Sequence, residues 1–174
     1  FGLESMKKSC NAQGSSKYYL FVTASFLCYN GFQEDVEMIK EIVKDNFFLS
    51  QVAEKATKED LYIGIDLKDT LQAHLHECVG MAGNMIGYNK AVIIFLEDEK
   101  MHVMYNPEII KTSGNYHECE EGCLSHVGQK MVKRYETIKV SYFDESFKKK
   151  IKTYTGFTAQ IIQHECDHLK GILI

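Results

Sequence analysis

Ile63, Leu67, Leu71 and Leu75 fall four residues apart in an otherwise polar stretch. Side chains at that spacing share one face of a helix, so the pattern predicts an amphipathic α-helix whose apolar stripe packs on a core. Thr57, with Asp60 three positions on, has the form of a capping box before this helix. His74 and His76 fall on its polar side and are expected to be solvated. The run "CVGMAGNMIG" at 78–87 is small and glycine-rich, suited to close backbone approach, and reads as extended. "AVIIFLE" and "MHVMYNPEII" flank the turn "DEK" and read as paired strands, with His102 as an edge residue. "TIKVSYFDESFKKKIKTY" alternates, turns and alternates again, which predicts a second hairpin. "GFTAQIIQHECDHLKG" reads as a final helix ended by Gly171. Strands come first and this helix last. The class is therefore α+β, with mixed or antiparallel sheets around a C-terminal helix.

Residues 1–37 differ from the rest. Two lysines, a polar stretch and an apolar run from Tyr18 to Tyr29 have the order of a secretory n-region and h-region. The run is short for a membrane span, and no small-x-small cleavage site follows it. A packed hairpin or strand, or an extension upstream of the functional domain, are the other readings. The first residue is Phe1 rather than Met, which reads as a processed or truncated end. A regular domain pattern begins at Met38, so 1–37 is read as an N-terminal extension and 38–174 as the catalytic domain.

With 174 residues, 45% hydrophobic and 25% charged, the chain fits a soluble protein with one core of ordinary size. A formal charge of −4 argues against a broad nucleic-acid-binding surface. Cys10, Cys28, Cys78, Cys119, Cys123 and Cys166 are too few for a disulfide scaffold in a chain this long. They read as reduced thiols of a cytosolic protein, one or two with a special role.

The special role is suggested by "QHECDHLKG" at 163–171. On a helix, His164 and His168 point the same way, about one turn apart, with Glu165 beside the first. That suits one transition metal with a carboxylate alongside. His117, Cys119 and Cys123 cluster in "NYHECEEGCLSHVG" as candidates for a third ligand. A thiolate with two imidazoles leaves a fourth position open for water, the catalytic arrangement. Cys166 lies two positions after His164, roughly 200° around the helix, and is expected to face away into the core. A zinc endopeptidase would take its third ligand after the helix, but no His, Asp or Glu follows His168. A structural metal site would need Cys119 or His117 as a fourth ligand and leaves Glu165 unexplained.

"EGCLS" at 121–125 together with "QHECDHL" at 163–169 resembles the peptide deformylase family. "MYNPEI" and "CVGMAGNMIG" stand where that family has further motifs, the second being Gly-x-Gly-Leu-Ala-Ala-x-Gln-Ile-Gly. The resemblance runs from about Met38 to Ile174 and leaves out 1–37. It implies Cys123, His164 and His168 as ligands of one divalent metal, Fe2+ natively, with Zn2+, Ni2+ or Co2+ as substitutes. The implied reaction removes the N-formyl group from the initiator methionine of newly made bacterial-type polypeptides and releases formate. Glu165 would take a proton from water and deliver it to the leaving amine. The Leu124 N–H and the first-motif glutamine would face the developing oxyanion. Val79, Gly80, Glu121, Gly122 and Leu124 match positions beside the peptide. Val79, Phe157 and Ile161 would form the methionine pocket, with plain core packing as the other reading of Phe157 and Ile161. Arg134 matches a structural arginine paired with Asp167, or else is a surface charge. The implied setting is cytoplasmic, in contact with nascent chains and the ribosome. It includes no basic C-terminal anchor, no direct nucleic-acid binding and no membrane.

The chain departs from the family motif. Cys78 replaces the first glycine, Gly83 the second alanine, and Met85 the glutamine. Methionine donates no hydrogen bond. Losing one oxyanion donor typically costs on the order of 100- to 1000-fold in rate. Asn84 carries an amide, but in an extended strand it would point to the opposite face. Two readings follow: a working deformylase with a modified oxyanion hole, or a metal- and peptide-binding relative with weak or no turnover.

Overall fold

The structure, a computed structural model, describes residues 38–174. The readings of 1–37 lie outside the described residues. In chain order the elements are α1 (Asn46–Leu49), a 3-10 turn (Lys58–Leu61), α2 (Tyr62–Ala73), β1 (Gly80–Ala82) and a second 3-10 turn (Gly83–Ile86). Then come β2 (Val92–Glu97), β3 (Lys100–Gly122), β4 (Gln129–Phe143), β5 (Lys149–Thr155) and α3 (Gly156–Leu169). The strands form one five-stranded sheet in sequence order, every neighbour antiparallel. The α+β class holds. Parallel pairing among the described residues is confined to an isolated bridge, Glu54 with Lys90.

The capping box forms: Asp60 Oδ2 accepts from the Thr57 N–H at 2.7 Å, and Thr57 Oγ1 accepts from the Glu59 N–H at 3.3 Å. It caps the first 3-10 turn, which runs straight on into α2. Ile63, Leu67 and Leu71 are fully buried as their spacing predicts. The helix ends at Ala73 with His74 as its C-cap, so Leu75, His74 and His76 are not on a helical face. The two histidines instead flank Glu77, each 3.4 Å from its carboxylate, on the way into β1.

β2 and β3 join through Asp98 and Glu99, both at positive φ (50° and 62°), a primed turn that matches the twist of a hairpin. His102 is not at a sheet edge. It lies on an inner strand and stacks on Phe95 at 5.5 Å. β3 also runs twelve residues past the expected end at Ile110, to Gly122. Beyond Ile110 the strand is exposed almost throughout, so no alternation of apolar and polar residues marks it. Asn106 fixes where this ribbon leaves the core. Its side chain accepts from the Ala56 N–H at 2.7 Å and donates to the Ala56 carbonyl at 2.8 Å. Pro107 follows at a register shift between Tyr105 and Glu108, where a missing ladder N–H is tolerated. The tip of the β3–β4 ribbon, residues 123–128, carries Cys123 to α3.

α2 and α3 pack on the sheet through one core that includes Leu67, Phe95, Ile138, Ile162 and Cys166. Cys166 therefore faces the core, and burial pushes its thiol up to about 12. The last turn of α3 closes with the Gly171 N–H on the His168 carbonyl and the Ile172 N–H on the Asp167 carbonyl, a Schellman end. Gly171 has φ +72°, and a Cβ there would lie 2.2 Å from the Ser50 carbonyl oxygen. Gly171→Ala is expected to destabilise the protein by at least about 1–2 kcal/mol, read as a lower Tm.

Candidate metal centre

His164 and His168, one turn apart on α3, bring their Nε2 atoms to 3.1 Å. Cys123 Sγ, delivered by the ribbon tip, is 3.3 Å from His168 Nε2. Around a tetrahedral ion with ordinary Zn–N and Zn–S bond lengths, neighbouring donors sit roughly 3.3–3.6 Å apart. The three atoms all lie within 4.8 Å of one another, and this is the group among the described residues that fits a metal. His164 Nδ1 donates to Glu121, so in the neutral ring the Nε2 lone pair faces the other donors. Converging lone pairs and a thiol are mutually repulsive unless a cation joins them. Burial disfavours a charge on either imidazole. His164 is nonetheless held well above the usual histidine range by Cys123 and Glu121, while His168 is driven far below it by burial and by His164.

The other candidate ligands lie elsewhere. His117 is exposed on β3. Cys119 Sγ donates to Glu121 Oε1 at 3.6 Å, and burial raises its pKa.

Glu121 is the hub behind the candidate ligands. Its carboxylate accepts from Arg134 Nε (2.9 Å) and Nη2 (2.7 Å), from His164 Nδ1 (2.8 Å) and from Gln160 Nε2 (3.0 Å). Burial works against its charge, but the hydrogen bonds from His164 and Arg134 outweigh it and hold the carboxyl down at about 2. A carboxylate has about four acceptor sites, and these donors take them. Glu121 therefore borders the cleft with its side chain committed to protein partners, which narrows the expectation that it lies beside a peptide. Arg134 is buried rather than on the surface, and its Nη1 donates to Asp167 Oδ2 at 2.6 Å. The pairing with Asp167 is present, and the bidentate grip on Glu121 is added to it. Gln160 and Gln163 are contributions the sequence reading missed. Gln163 accepts from the Tyr135 N–H at 2.9 Å and donates to its carbonyl at 3.0 Å, clamping β4 to α3. The available signal was spacing: Gln160 lies one helical turn before His164 and so shares its face.

Glu165 is buried beside this cluster, and its Oε2 has no partner among the described residues. Burial pushes its carboxyl up to about 7, with repulsion from Glu121 adding to the rise and His164 and Arg134 opposing it. A Cβ at Gly80 would lie 2.6 Å from both Glu165 Oε1 and Ile161 Cγ2, so only glycine lets β1 pass this close. An uncommitted carboxylate that titrates near neutrality, beside three metal donors, is equipped to move a proton.

These groups open into a cleft of about 520 Å3. Every residue expected at the site borders it except His168, which is fully buried behind it: Val79, Gly80 and Met85 on one side, Glu121, Gly122, Cys123 and Leu124 on a second, and Phe157, Ile161, His164 and Glu165 from α3. Phe157 is 64% exposed at the mouth, so it is not core packing, whereas Ile161 is buried. Cys78, which stands for the first glycine of the family motif, borders the cleft too, as does Gln129, which no motif marked.

The extended reading of 78–87 needs correction. β1 stops at Ala82, and Gly83–Ile86 forms a 3-10 turn. The close approach is by the chain itself, since a Cβ on Gly83 would lie 2.9 Å from the Lys90 carbonyl oxygen. Asn84 is unable to replace a glutamine, but not because strand faces alternate: its Nδ2 donates to the His168 carbonyl at 2.8 Å deep in the protein. Met85 Sδ accepts from the Ala82 N–H at 3.4 Å. No hydrogen bond from the Leu124 N–H forms among the described residues.

The chain matches the family model described as polypeptide deformylase over residues 39–174. It is 53% identical over 137 residues to a peptide deformylase of Clostridium beijerinckii, covering 79% of this chain and all of that protein. A peptide deformylase of Synechocystis is 35% identical, over 72% of this chain and 71% of the relative. A solved structure of a class I type b peptide deformylase from Acinetobacter baumannii, bound to Met-Ala-Ser, superposes with a TM-score of 0.73 at 29% identity. It covers 79% of this chain and 97% of that one. The same enzyme bound to actinonin gives 0.71 at 31% identity, over 78% and 95%.

Proposed function

Since this chain belongs to the peptide deformylase family, we propose that it hydrolyses the N-formyl group of N-terminal formyl-methionine on newly made polypeptides, releasing formate, at a metal held by Cys123, His164 and His168. The observation that carries this reading is the convergence of those three donor atoms beside the free carboxylate oxygen of Glu165. The donor set, one thiolate with two imidazoles, suits Fe2+, Zn2+, Ni2+ or Co2+ without choosing among them. It is the family resemblance that points to Fe2+ as resident metal, with the others as substitutes. A metal bound there supplies Lewis acidity, making water more acidic and the formyl carbonyl more electrophilic.

The rest falls to the chain's own groups. The formyl-peptide lies extended along the free edge of β1, with Val79 and Gly80 on one side and Gly122 and Leu124 on the other. Phe157, Ile161 and Val79 take the methionine side chain. Glu165 accepts the proton of the attacking water and returns it to the leaving amine, which needs one carboxyl that titrates near neutrality. The Leu124 N–H donates to the carbonyl oxygen as it gains negative charge. The Acinetobacter structure with Met-Ala-Ser supports a peptide of this kind as ligand. A nascent chain as substrate places the work in the cytoplasm, in contact with the ribosome's product rather than with nucleic acid or membrane. No described helix is long and apolar enough to cross a membrane.

The second reading, weak or absent turnover, rests on Met85. Its thioether accepts a backbone hydrogen bond where the family glutamine would donate to the oxyanion. Met85→Gln tests the point. The amide oxygen has the Ala82 N–H to accept, leaving the NH2 for the cleft, and kcat/KM is expected to rise by about tenfold or more. No gain would mean that metal and Leu124 already stabilise the oxyanion. The reaction itself is tested by incubating formyl-Met-Ala-Ser with the Fe2+-loaded protein and measuring formate against deformylated peptide. Equal amounts are expected, and intact peptide would sink the reading.

A further inference from the structure

The cleft has a deep end and a mouth. Met85 and Glu165 are buried at the first, and Phe157 is exposed at the second. β1 enters from the mouth, passes Glu165 at Gly80 and leads on to the turn that carries Met85. Val79 extends its ladder, with its carbonyl accepting from the Leu96 N–H at 2.8 Å, so β2 takes one edge of this segment and the cleft has the other. A peptide on that edge, with its formyl group at the metal, has its amino end deep and runs outwards, antiparallel to β1, past Val79, Cys78 and Glu77. Glu77 precedes Gly80 by three residues, at most about 10 Å of extended chain. It therefore stands beside the third or fourth residue of the peptide.

The charge at this mouth has one sign. No lysine or arginine borders the cleft among the described residues. Lys130, next to the bordering Gln129, is turned to the Leu173 carbonyl at 2.9 Å. Three carboxylates border the cleft. That of Glu121 is held by Arg134, and that of Glu165 lies buried at the deep end. Glu77 is half-exposed, and its neighbours His74 Nδ1 and His76 Nε2, each 3.4 Å away, are imidazoles rather than permanent cations. Its backbone is fixed, since the Glu77 and Cys78 N–H groups both donate to the His74 carbonyl, at 2.9 and 3.0 Å.

We infer that Glu77 is a specificity-determining residue: it selects formyl-peptides with a lysine or arginine at the third or fourth position and disfavours an acidic residue there. The inference rests on the reaction and the peptide path proposed above. A cationic side chain on an extended peptide meets this carboxylate in solvent, so the pairing avoids the desolvation cost of a buried ion pair and is screened by salt. An acidic side chain at the same place meets like charge.

The test compares formate release from formyl-Met-Ala-Lys-Lys, formyl-Met-Ala-Ser-Ser and formyl-Met-Ala-Glu-Glu at low and at high salt. At low salt the wild type is expected to favour the lysine peptide over the glutamate peptide by roughly 3- to 10-fold in kcat/KM, the size of an exposed ion pair counted once as attraction and once as repulsion. The difference should lie in KM, with kcat shared, and should shrink at high salt. Glu77→Gln should lose the preference and Glu77→Lys should reverse it, each variant being referred to its own rate on the serine peptide. Equal kcat/KM for the lysine and glutamate peptides in the wild type, or a preference that survives Glu77→Gln, would overturn the inference, while formate from the serine peptide leaves the proposed reaction standing. No formate from any of the three, with metal bound, overturns the reaction and the inference with it.

Discussion

Glu165→Ala is expected to reduce formate release by at least about 100- to 10,000-fold, the range for removing a general acid–base group, while the protein keeps its fold and its metal. Three features of Glu165 make the effect this large. It is buried, its Oε2 bonds to no described group, and its pKa lies near 7, so it exchanges a proton at little cost near neutral pH. Of the other carboxylates that border the cleft, that of Glu121 is fully engaged and that of Glu77 is exposed beside His74 and His76. Glu165→Gln keeps the shape and removes the titration, so an equal loss in both variants assigns the effect to proton transfer rather than packing. Metal content per chain, measured beside turnover, separates a lost base from a lost metal. Activity retained in Glu165→Gln would remove this residue from the mechanism.

The second large effect is on stability. Arg134→Ala leaves Glu121 and Asp167 without their shared cation, and breaking a buried pair from one side costs about 3–5 kcal/mol. At a few degrees per kcal/mol for a domain of this size, Tm should fall by roughly 10 °C. Metal binding should weaken too, since His164 is oriented by the carboxylate that Arg134 holds. Arg134→Lys will not rescue it, because a single ammonium is unable to reproduce the fork that spans both acids. The same network carries a pH signature. The folded-state pKa of Glu121, about 2, lies below its ordinary value of 4.5. Its stabilisation is therefore complete above pH 4.5 and is lost as pH falls towards 2. The Tm difference between wild type and Glu121→Gln should shrink over that window, and a difference independent of pH would mean that the charge of Glu121 contributes nothing.

Local rules made part of this molecule legible. The four-residue spacing of His164 and His168 is a property of any helix, so their shared face could be read directly. The stripe of Ile63, Leu67 and Leu71 is legible for the same reason. Cys123 was not legible by spacing alone, since His117 and Cys119 were equally eligible until the family resemblance chose. The structure separates them by position: His117 and Cys119 sit along the ribbon, and Cys123 sits at its tip. The length of β3 was hidden because a ribbon exposed on both faces has no period. The 3-10 turn at Gly83–Ile86 was hidden because a short run of small and apolar residues fits strand and turn alike. The role of Glu121 was beyond reach of local pattern, since its partners Arg134, Gln160 and His164 come from other elements, up to 43 positions away.

The central claim is that turnover depends on a metal bound by Cys123, His164 and His168. The most direct test is to strip the protein with a chelator, add Fe2+ back in steps without oxygen, and follow formate release from formyl-Met-Ala-Ser at each step. Turnover should be absent at first, rise in proportion to bound iron and level off at one ion per chain. Turnover in the stripped protein, or none with one iron bound per chain, would contradict the account.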